Sequence, residues 1–217
     1  MRFLSLDLST NTGYAVFEKD KLLDYGVFTD KAKNYKSDIK TFADFPEQYP
    51  YNFIATCLNI GRKSVDLFHE YKCEAVVIEH TEKGKQRLSQ RLLEWINYAV
   101  VAAFIVEDIR VQYLLVSDWR TYTKCYLKYW PDHKAWNTKI NRLKQKAIPT
   151  KSGAKVAKLE GKIVTKVNQK KLSILLANEA YDLTIKDDNI ADAINLGRAG
   201  WGLLYGGGDA RLSADEG

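Results

Sequence analysis

The chain has 217 residues and a formal net charge of +6, with three cysteines and three histidines. This length suits one domain with a substantial hydrophobic core. No apolar stretch reaches the roughly 18 residues of a membrane span and no signal-peptide pattern opens the sequence, so we expect a cytoplasmic protein without a membrane partner. The cysteines Cys57, Cys73 and Cys125 are far apart, which indicates neither a disulfide framework nor a zinc site.

The charge is distributed unevenly along the sequence. The segment from Arg120 to Lys171 contains 15 Lys and Arg against two acids and carries +13, whereas the rest of the chain carries −7. An acidic remainder can provide a cation site. Concentrated basic charge indicates a polyanionic partner.

The first apolar run, from Phe3 to Phe17, contains one carboxylate, Asp7. Strand alternation puts Asp7 on the same face as Phe3, where an unpaired charge is costly. A polar turn from Ser9 to Gly13 is predicted to reverse the chain, and Gly13 can supply a positive φ. The alternative interpretation is that Asp7 only caps its own turn.

The hydrophobic pattern predicts a meander at the N-terminus, in which two further strands follow the first. These strands span Tyr14 to Glu18 and Leu22 to Phe28. Residues 31–51 are polar and interrupted by proline, which predicts a connection. Apolar residues then recur at helical spacing from Phe53 to Tyr71.

A second acidic strand is predicted from Glu74 to Glu79. Ala75, Val77 and Glu79 share one face, so this strand also ends in a carboxylate. Open α/β sheets bind ligands at the carboxyl ends of their strands. Glu79 is therefore a second candidate site residue.

A long helix is predicted from about Gln86 to Asp108, after a polar loop. Its second half is apolar nearly all round, which indicates burial across the sheet or in a subunit interface. A strand from Val111 to Val116 follows, and then a helix with a polar cap near Ser117. The strand, helix, strand order predicts parallel pairing of the later strands.

The chain changes character from about 129 to 167, where prolines, tryptophans and closely spaced lysines indicate an insertion. A helix from Gln169 to Tyr181 resumes the core, and a last helix runs from Asp188 to about Tyr205. Asp188 and Asp192 lie one turn apart on this last helix.

Four acids, Asp7, Glu79, Asp188 and Asp192, thus occur at two strand ends and on one helix, without an obvious local cationic partner. Hard divalent metals such as Mg²⁺ prefer oxygen ligands. A pair of such ions roughly 3.5 to 4 Å apart can activate water and stabilise the leaving oxygen in phosphodiester cleavage. The pattern therefore predicts a metal-dependent site, if the four acids cluster.

The sequence resembles the RuvC-like Holliday junction resolvases of the ribonuclease-H-like superfamily, particularly their divergent phage and viral members. The resemblance is carried by FLSLDLSTNTGYAVF, VVIEH and DDNIADAINLGRAG, which look like the family's first acidic strand, second acidic strand and C-terminal acidic helix. It implies an α/β, ribonuclease-H-like fold over residues 1–217, with a mixed five-stranded sheet whose antiparallel meander precedes parallel strands, flanked by helices and carrying the basic insertion.

The resemblance also implies a function and a site. It carries Asp7, Glu79 and Asp192 over as catalytic metal ligands for Mg²⁺, with Mn²⁺ as a substitute. The family spacing leaves Asp187 and Asp188 as alternatives for the fourth ligand, and we favour Asp188. The expected activity is resolution of four-way DNA junctions by a homodimer, in the host cytoplasm if the source is a phage or virus.

The basic residues that we predict to contact DNA are Lys83, Lys85, Lys139, Arg142, Lys144, Lys146, Lys151 and Lys155. The alternative is that the basic segment is a solvated surface loop. Trp130 and Trp136 either stack on exposed bases or are buried beneath the insertion.

Three other functions stay open at this point. A related nuclease acting on other branched or flapped DNA would use the same acids. An ATP-binding protein of the sugar-kinase superfamily would need a second phosphate loop, which is not evident. A DNA-binding module without enzymatic activity would leave the four acids without a purpose, because they repel phosphate.

Overall fold

The computed structural model describes residues 1–30, 50–80, 88–130, 132–147, 149, 155–160 and 162–206. Within these residues a five-stranded sheet is flanked by helices, and a two-stranded sheet lies in the predicted insertion. The elements are β1 (Arg2–Asp7), β2 (Asn11–Glu18), β3 (Lys21–Thr29), α1 (Tyr51–Glu70), β4 (Ala75–Glu79), α2 (Leu88–Val106), β5 (Val111–Leu114), α3 (Val116–Tyr122), a 3₁₀ turn (Leu127–Tyr129), α4 (His133–Lys146), β6 (Ala157–Leu159), β7 (Lys162–Val164), α5 (Gln169–Tyr181) and α6 (Asp188–Leu204).

The large sheet has the strand order β3-β2-β1-β4-β5. The first three strands pair antiparallel, whereas β1, β4 and β5 run parallel. The parallel strands are connected through α1 and α2, as crossovers between parallel strands require. This topology confirms the predicted α/β class and the mixed five-stranded sheet, in which an antiparallel meander precedes parallel strands.

The two faces of the sheet bury separate hydrophobic clusters. Phe3 and Val77 point into a cluster shared with α3, α5 and α6. Leu4 and Val76, which are adjacent in sequence to Phe3 and Val77, point into a cluster shared with α1 and α2. The predicted alternation of β1 is thus confirmed, because both of its faces are covered by helices.

The predicted turn at Gly13 is wrong. The strand β2 already begins at Asn11, and Gly13 pairs with Asp7 inside the sheet. The chain reverses at Ser9 and Thr10, where the Asn11 amide donates to Ser9 Oγ at 3.0 Å. Glycine is needed at position 13 for a different reason, since a Cβ there would collide with the backbone carbonyl of Asn189 at the start of α6.

The predicted polar cap at Ser117 is also wrong. Helix α3 begins at Val116, immediately after β5, and its N-cap residue Leu115 provides no side-chain hydrogen bond. The Ser117 hydroxyl instead donates to Asp118 Oδ1 at 3.0 Å. The polar residues that signalled the helix start therefore lie within its first turn.

Helix α2 is buried on one side and exposed on the other. Ile96, Val100 and Phe104 are fully buried against α1 and the sheet. On the opposite side, Tyr98 and Val106 remain 68% and 83% exposed. Core burial therefore accounts for the apolar residues of the buried stripe and not for those on the exposed side. No helix in the described part of the chain combines the length and apolarity of a membrane span.

The basic insertion contains the helix α4 and the antiparallel pair β6-β7, although no elements were predicted for it. Ile140 of α4 and Ala157 of β6 are fully buried, so this segment has a small packed centre despite its low apolar content. Its boundaries as a separate insertion stay a prediction.

Candidate active site

The acidic site begins with the pairing of β1 and β4. These strands are parallel neighbours in a register that places Leu6 beside Ile78. Each strand ends one residue later, so Asp7 and Glu79 meet at the same edge of the sheet. The N-terminal end of α6 lies against this edge, because the backbone of Asn189 packs on Gly13.

The structure brings all four predicted acids to one open cleft of about 430 Å³. Asp7 and Glu79 come from the sheet, and Asp188 and Asp192 come from consecutive turns of α6. The basic side chains Arg120 and Lys170 line the same cleft. The spacing of Asp188 and Asp192 along α6 is what directs both toward the strand ends.

Asp7 is the acid of the cleft whose charged form is most strongly disfavoured by its surroundings. Burial, followed by the charges of Asp192, Glu79 and Asp188, raises the pKa of the Asp7 carboxyl well above its usual range. Lys170 opposes this shift only weakly. No hydrogen-bond donor from the described residues reaches the Asp7 carboxylate, so within this part of the chain its charged form is stabilised only by the Lys170 charge.

Glu79 is held by an aromatic donor from the core. The indole Nε1–H of Trp119 donates to Glu79 Oε2 at 2.7 Å, and Trp119 is fully buried. The guanidinium of Arg120 lies 5.0 Å from the centre of the same indole ring. The first helix after β5 therefore supplies both a neutral donor to Glu79 and a positive charge to the cleft.

Asp192 accepts a hydrogen bond from the Ser173 hydroxyl, which reaches it from α5. Burial raises the pKa of Asp192, while the Ser173 hydrogen bond and the Arg120 charge oppose the rise. Ser173 is in turn contacted by Asn195, whose Nδ2–H₂ donates to Ser173 Oγ at 2.9 Å.

Asp188 forms an ion pair with Lys170, which corrects the expectation that the acids lack a local cationic partner. The hydrogen bond to Asp188 raises the pKa of the Lys170 ammonium. The neighbouring Asp187 has a different role, because its carboxylate caps α6 by accepting from the Asn189 and Ile190 amides at 2.9 and 3.3 Å. Of the two alternatives for the fourth position, only Asp188 lines the cleft.

The donor chemistry of the cleft fits a hard divalent cation. Four carboxylates surround one space, and the ammonium of Lys170 already sits against one of them as a cation. Over the residues that the structure describes, no three acidic, His or Cys side chains are drawn together into a formed metal site. The carboxylates of Glu79, Asp188 and Asp192 are instead turned toward protein donors. Their use as metal ligands stays a prediction.

The predicted DNA-contacting residues are distributed over several places. Those on α4 are exposed, as is Lys155, which lies where the chain bridges to Pro149. The α4 residues are Lys139, Arg142, Lys144 and Lys146. Lys83, Lys85 and Lys151 lie outside the described residues.

A pair of hydrogen bonds anchors the basic helix α4 close to the cleft. The Asn137 side chain donates to the Val167 carbonyl at 3.0 Å and accepts from the Val167 amide at 2.8 Å. Val167 precedes Lys170, a residue of the cleft, by three positions. The position of the basic surface is therefore tied to that of the acids.

The two tryptophans of this region are both partly buried. Trp130 packs against the core cluster on the α6 side of the sheet. Trp136 donates from its indole nitrogen to the Thr165 carbonyl at 3.1 Å. These contacts favour burial within the protein, and not stacking on exposed bases, for both tryptophans.

Comparison with solved structures identifies the fold. The structure of T. thermophilus RuvC in complex with a Holliday junction substrate matches with a TM-score of 0.52 and 13% identity, over 92% of this chain and 91% of that chain. The chain has the ribonuclease-H-like fold. At this identity the match shows the fold alone, and it confirms the predicted fold class.

Two further structures match over similar lengths. A second Thermus thermophilus RuvC structure has a TM-score of 0.48 and 14% identity, over 92% of each chain. The yeast mitochondrial Holliday junction resolvase Ydc2 has a TM-score of 0.42 and 14% identity, over 92% of this chain and 79% of that one. No protein-family model and no curated protein sequence matches the chain. The assignment of the ribonuclease-H-like fold rests on the first structure.

Sequence reasoning missed several residues around the cleft. Ser173 and Asn195 are polar residues inside apolar helix stretches, which is the same signal that singled out Asp7. Trp119 and Lys170 carry no comparable signal, because a buried tryptophan and a lysine at a helix start are both ordinary. Their roles follow only from the packing of α3 and α5 beside α6.

Proposed function

We propose that the protein is a divalent-metal-dependent endonuclease that resolves four-way DNA junctions by phosphodiester hydrolysis. The observation that carries this proposal is the meeting of Asp7, Glu79, Asp188 and Asp192 in one cleft of a ribonuclease-H-like fold. The matching RuvC structure is described in complex with a Holliday junction, which favours branched DNA as the substrate.

In this proposal the four carboxylates hold Mg²⁺, for which Mn²⁺ substitutes. The bound ions would supply activation of water and neutralisation of charge on the phosphate. Asp7 is best suited to a central position, since the other three acids all raise its pKa and none of the described residues donates to it. Asp188 would have to break its ion pair with Lys170 to become a metal ligand.

The cleft also offers positive charge to a bound phosphate. Arg120 and Lys170 line the same space as the acids. Arg120 Nε is buried and has no hydrogen-bond partner among the described residues, so the charge of the guanidinium, and not this atom, would act on a bound phosphate. Positive charge beside the acids would offset their repulsion of the DNA backbone.

The wider DNA surface is proposed to run along α4 and the neighbouring insertion. The α4 cations are exposed, and Asn137 anchors this helix near the cleft. Such a surface would hold phosphates without reading bases. Lys83, Lys85, Lys151 and Lys155 belong to the same proposal.

We also propose that the protein acts as a homodimer, because resolution of a junction requires cuts in two opposed strands. An apolar groove between α1 and α2 supports a self-contact, with small residues such as Ala99 and Ala103 at its base. Leu58 and Val106 on its rims are 42% and 83% exposed. A two-fold dimer would cover this surface on both copies at once.

The dimer proposal is tested by sedimentation velocity. A Leu58→Lys, Val106→Glu double variant should sediment as a monomer, while Leu23→Lys on β3, a similarly exposed leucine at 36%, should behave as wild type. A wild-type protein that is monomeric at cleavage concentrations would contradict the dimer without affecting the metal site.

The function is tested by cleavage of a synthetic immobile four-way junction with Mg²⁺, with Mn²⁺ and without metal. Three-way, flapped and linear DNA of the same sequence serve as competing substrates, and Asp7→Asn serves as the inactive control. Faster cleavage of flaps or three-way junctions would favour the related nuclease instead. Binding without any metal-dependent cleavage would favour the module without enzymatic activity.

A further inference from the structure

Two buried polar residues outside the cleft converge on one of its acids. Ser173 on α5 is 1% exposed and Asn195 on α6 is fully buried. Both lie in helices that otherwise pack apolar side chains, where an unneeded polar group destabilises the protein. Together with Asp192 they form a chain of hydrogen bonds across the contact between α5 and α6.

The donor and the acceptor in each of these hydrogen bonds follow from the groups that the atoms belong to. Asn195 Nδ2 lies 3.0 Å from the Ser173 carbonyl oxygen, which can only accept, so the amide must present its N–H₂ group to Ser173. The same N–H₂ group lies 2.9 Å from Ser173 Oγ, which therefore accepts from it. Asn195 Oδ1 has no partner among the described residues, so the amide is held by its donated bonds.

A serine hydroxyl has a single proton. Ser173 Oγ accepts from Asn195, and its proton goes to Asp192 Oδ1 because a carboxylate is a stronger acceptor than the neighbouring Cys125 thiol. Asp192 is thus held as an acceptor on its core side, and its other oxygen is left for the cleft. Asn195 is three residues after Asp192 on α6, so both residues face the same stretch of α5.

We propose that Ser173 and Asn195 are positioning residues that orient the Asp192 carboxylate for metal binding. This inference rests on the proposed metal-dependent nuclease and names residues for which the resemblance assigns no role. Partners of this kind fix the orientation of a ligand, and their loss lowers metal affinity or activity by about 10- to 100-fold.

The test uses the full chain and Mn²⁺ as the probe. Ser173→Ala should weaken Mn²⁺ binding, measured by electron paramagnetic resonance without DNA, by about tenfold. The Mg²⁺ concentration for half-maximal junction cleavage should rise by the same factor, with a smaller change in the rate at saturating Mg²⁺. Ser173→Thr, which keeps the hydroxyl, should restore both, and Asn195→Leu should shift both in the same direction as Ser173→Ala.

Ser64→Ala is the matched control. Ser64 is also a fully buried helical serine, but its hydroxyl donates to the Ile60 carbonyl of its own helix, α1. Both serine variants should melt at similar temperatures without metal, while only Ser173→Ala loses Mn²⁺ affinity. Equal Mn²⁺ affinity of wild type and Ser173→Ala, with normal wild-type cleavage, would overturn the positioning role alone. A wild-type protein that neither binds Mn²⁺ nor cleaves would overturn the proposed function as well.

Discussion

Gly13 in β2 packs so closely against Asn189 that any side chain at position 13 would collide with the Asn189 carbonyl oxygen. This contact joins the strand paired with Asp7 to the first turn of the helix that carries Asp188 and Asp192. The position of α6 over the sheet is therefore set by backbone atoms on both sides. This backbone contact therefore also determines where the acidic side chains of α6 lie relative to those of the sheet.

The first prediction is that Gly13→Ala displaces α6 and separates the two halves of the acidic site. Overpacking of this kind costs about 1–3 kcal/mol of folding free energy. Urea denaturation should show this loss, and junction cleavage should fall by more than the loss of folded protein. Gly61→Ala is the comparison, because its Cβ would lie 3.2 Å from the Ala99 carbonyl and requires only a small adjustment. Wild-type stability of Gly13→Ala would contradict the close contact.

The second prediction concerns Asp7 and pH. Burial and neighbouring acids raise the pKa of Asp7 in the folded protein, so the folded state retains a proton that the unfolded state releases. The stability that this proton contributes is present at low pH and is lost as pH rises toward the raised folded value. Asp7→Asn should therefore melt at a higher temperature than wild type at pH 7 without metal.

This stability difference should shrink as the pH falls to about 4, near the ordinary aspartate pKa. Melting curves in a chelator at several pH values measure it, and Asp20→Asn, in the turn between β2 and β3, is the control. The same Asp7→Asn variant should lose metal-dependent cleavage and keep or strengthen junction binding, since it removes negative charge near phosphate. Full cleavage by Asp7→Asn would refute the assignment of the site.

The third prediction separates Asp187 from Asp188. Asp188→Asn should impair cleavage far more than Asp187→Asn, because Asp188 faces the cleft while Asp187 caps α6. Asparagine is also a good N-cap, so Asp187→Asn should keep near-normal stability, and Asp187→Ala should lose about 1 kcal/mol. Denaturation and cleavage of all three variants measure this. An inactive Asp187→Asn with an active Asp188→Asn would move the fourth ligand by one residue.

The fourth prediction concerns the basic surface on α4. Junction binding should weaken steeply with salt, and reversing four of the five cations on α4 to Glu should reduce the slope of log affinity against log salt by roughly 0.9 per lost phosphate contact. The substitutions are Lys139→Glu, Arg142→Glu, Lys144→Glu and Lys146→Glu. Fluorescence anisotropy in a salt titration measures the slope.

A control with the same change of charge is available at the opposite end of the sheet. Four exposed cations lie there, near the start of β1 and the parallel strands. These residues are Lys19, Lys21, Lys72 and Arg110. Their reversal to Glu should leave the salt slope close to that of wild type. Equal effects of the two variants would show that only net charge matters and that α4 makes no specific contact.

Much of the fold could be predicted because the strands β1 and β4 are apolar on both faces and end in acids. That pattern identified the two strand ends, and the helical spacing of Asp188 and Asp192 identified their common face. The insertion was harder to predict, since Ile140 and Ala157 are isolated apolar residues whose burial depends on contacts between α4 and β6. The turn at Gly13 was misinterpreted because a glycine needed for close packing looks the same in sequence as a glycine needed for positive φ.

The Ser5 hydroxyl donates to the Ala193 carbonyl at 2.7 Å, across 188 positions of sequence. Asp7 and Asp192, close to these two residues, are separated almost as widely. During synthesis the first acidic strand therefore leaves the ribosome long before the helix that completes its site. Contacts of such long range form slowly because closing the long intervening loop costs conformational entropy. The nascent chain thus stays without a complete acidic cleft until α6 has been added.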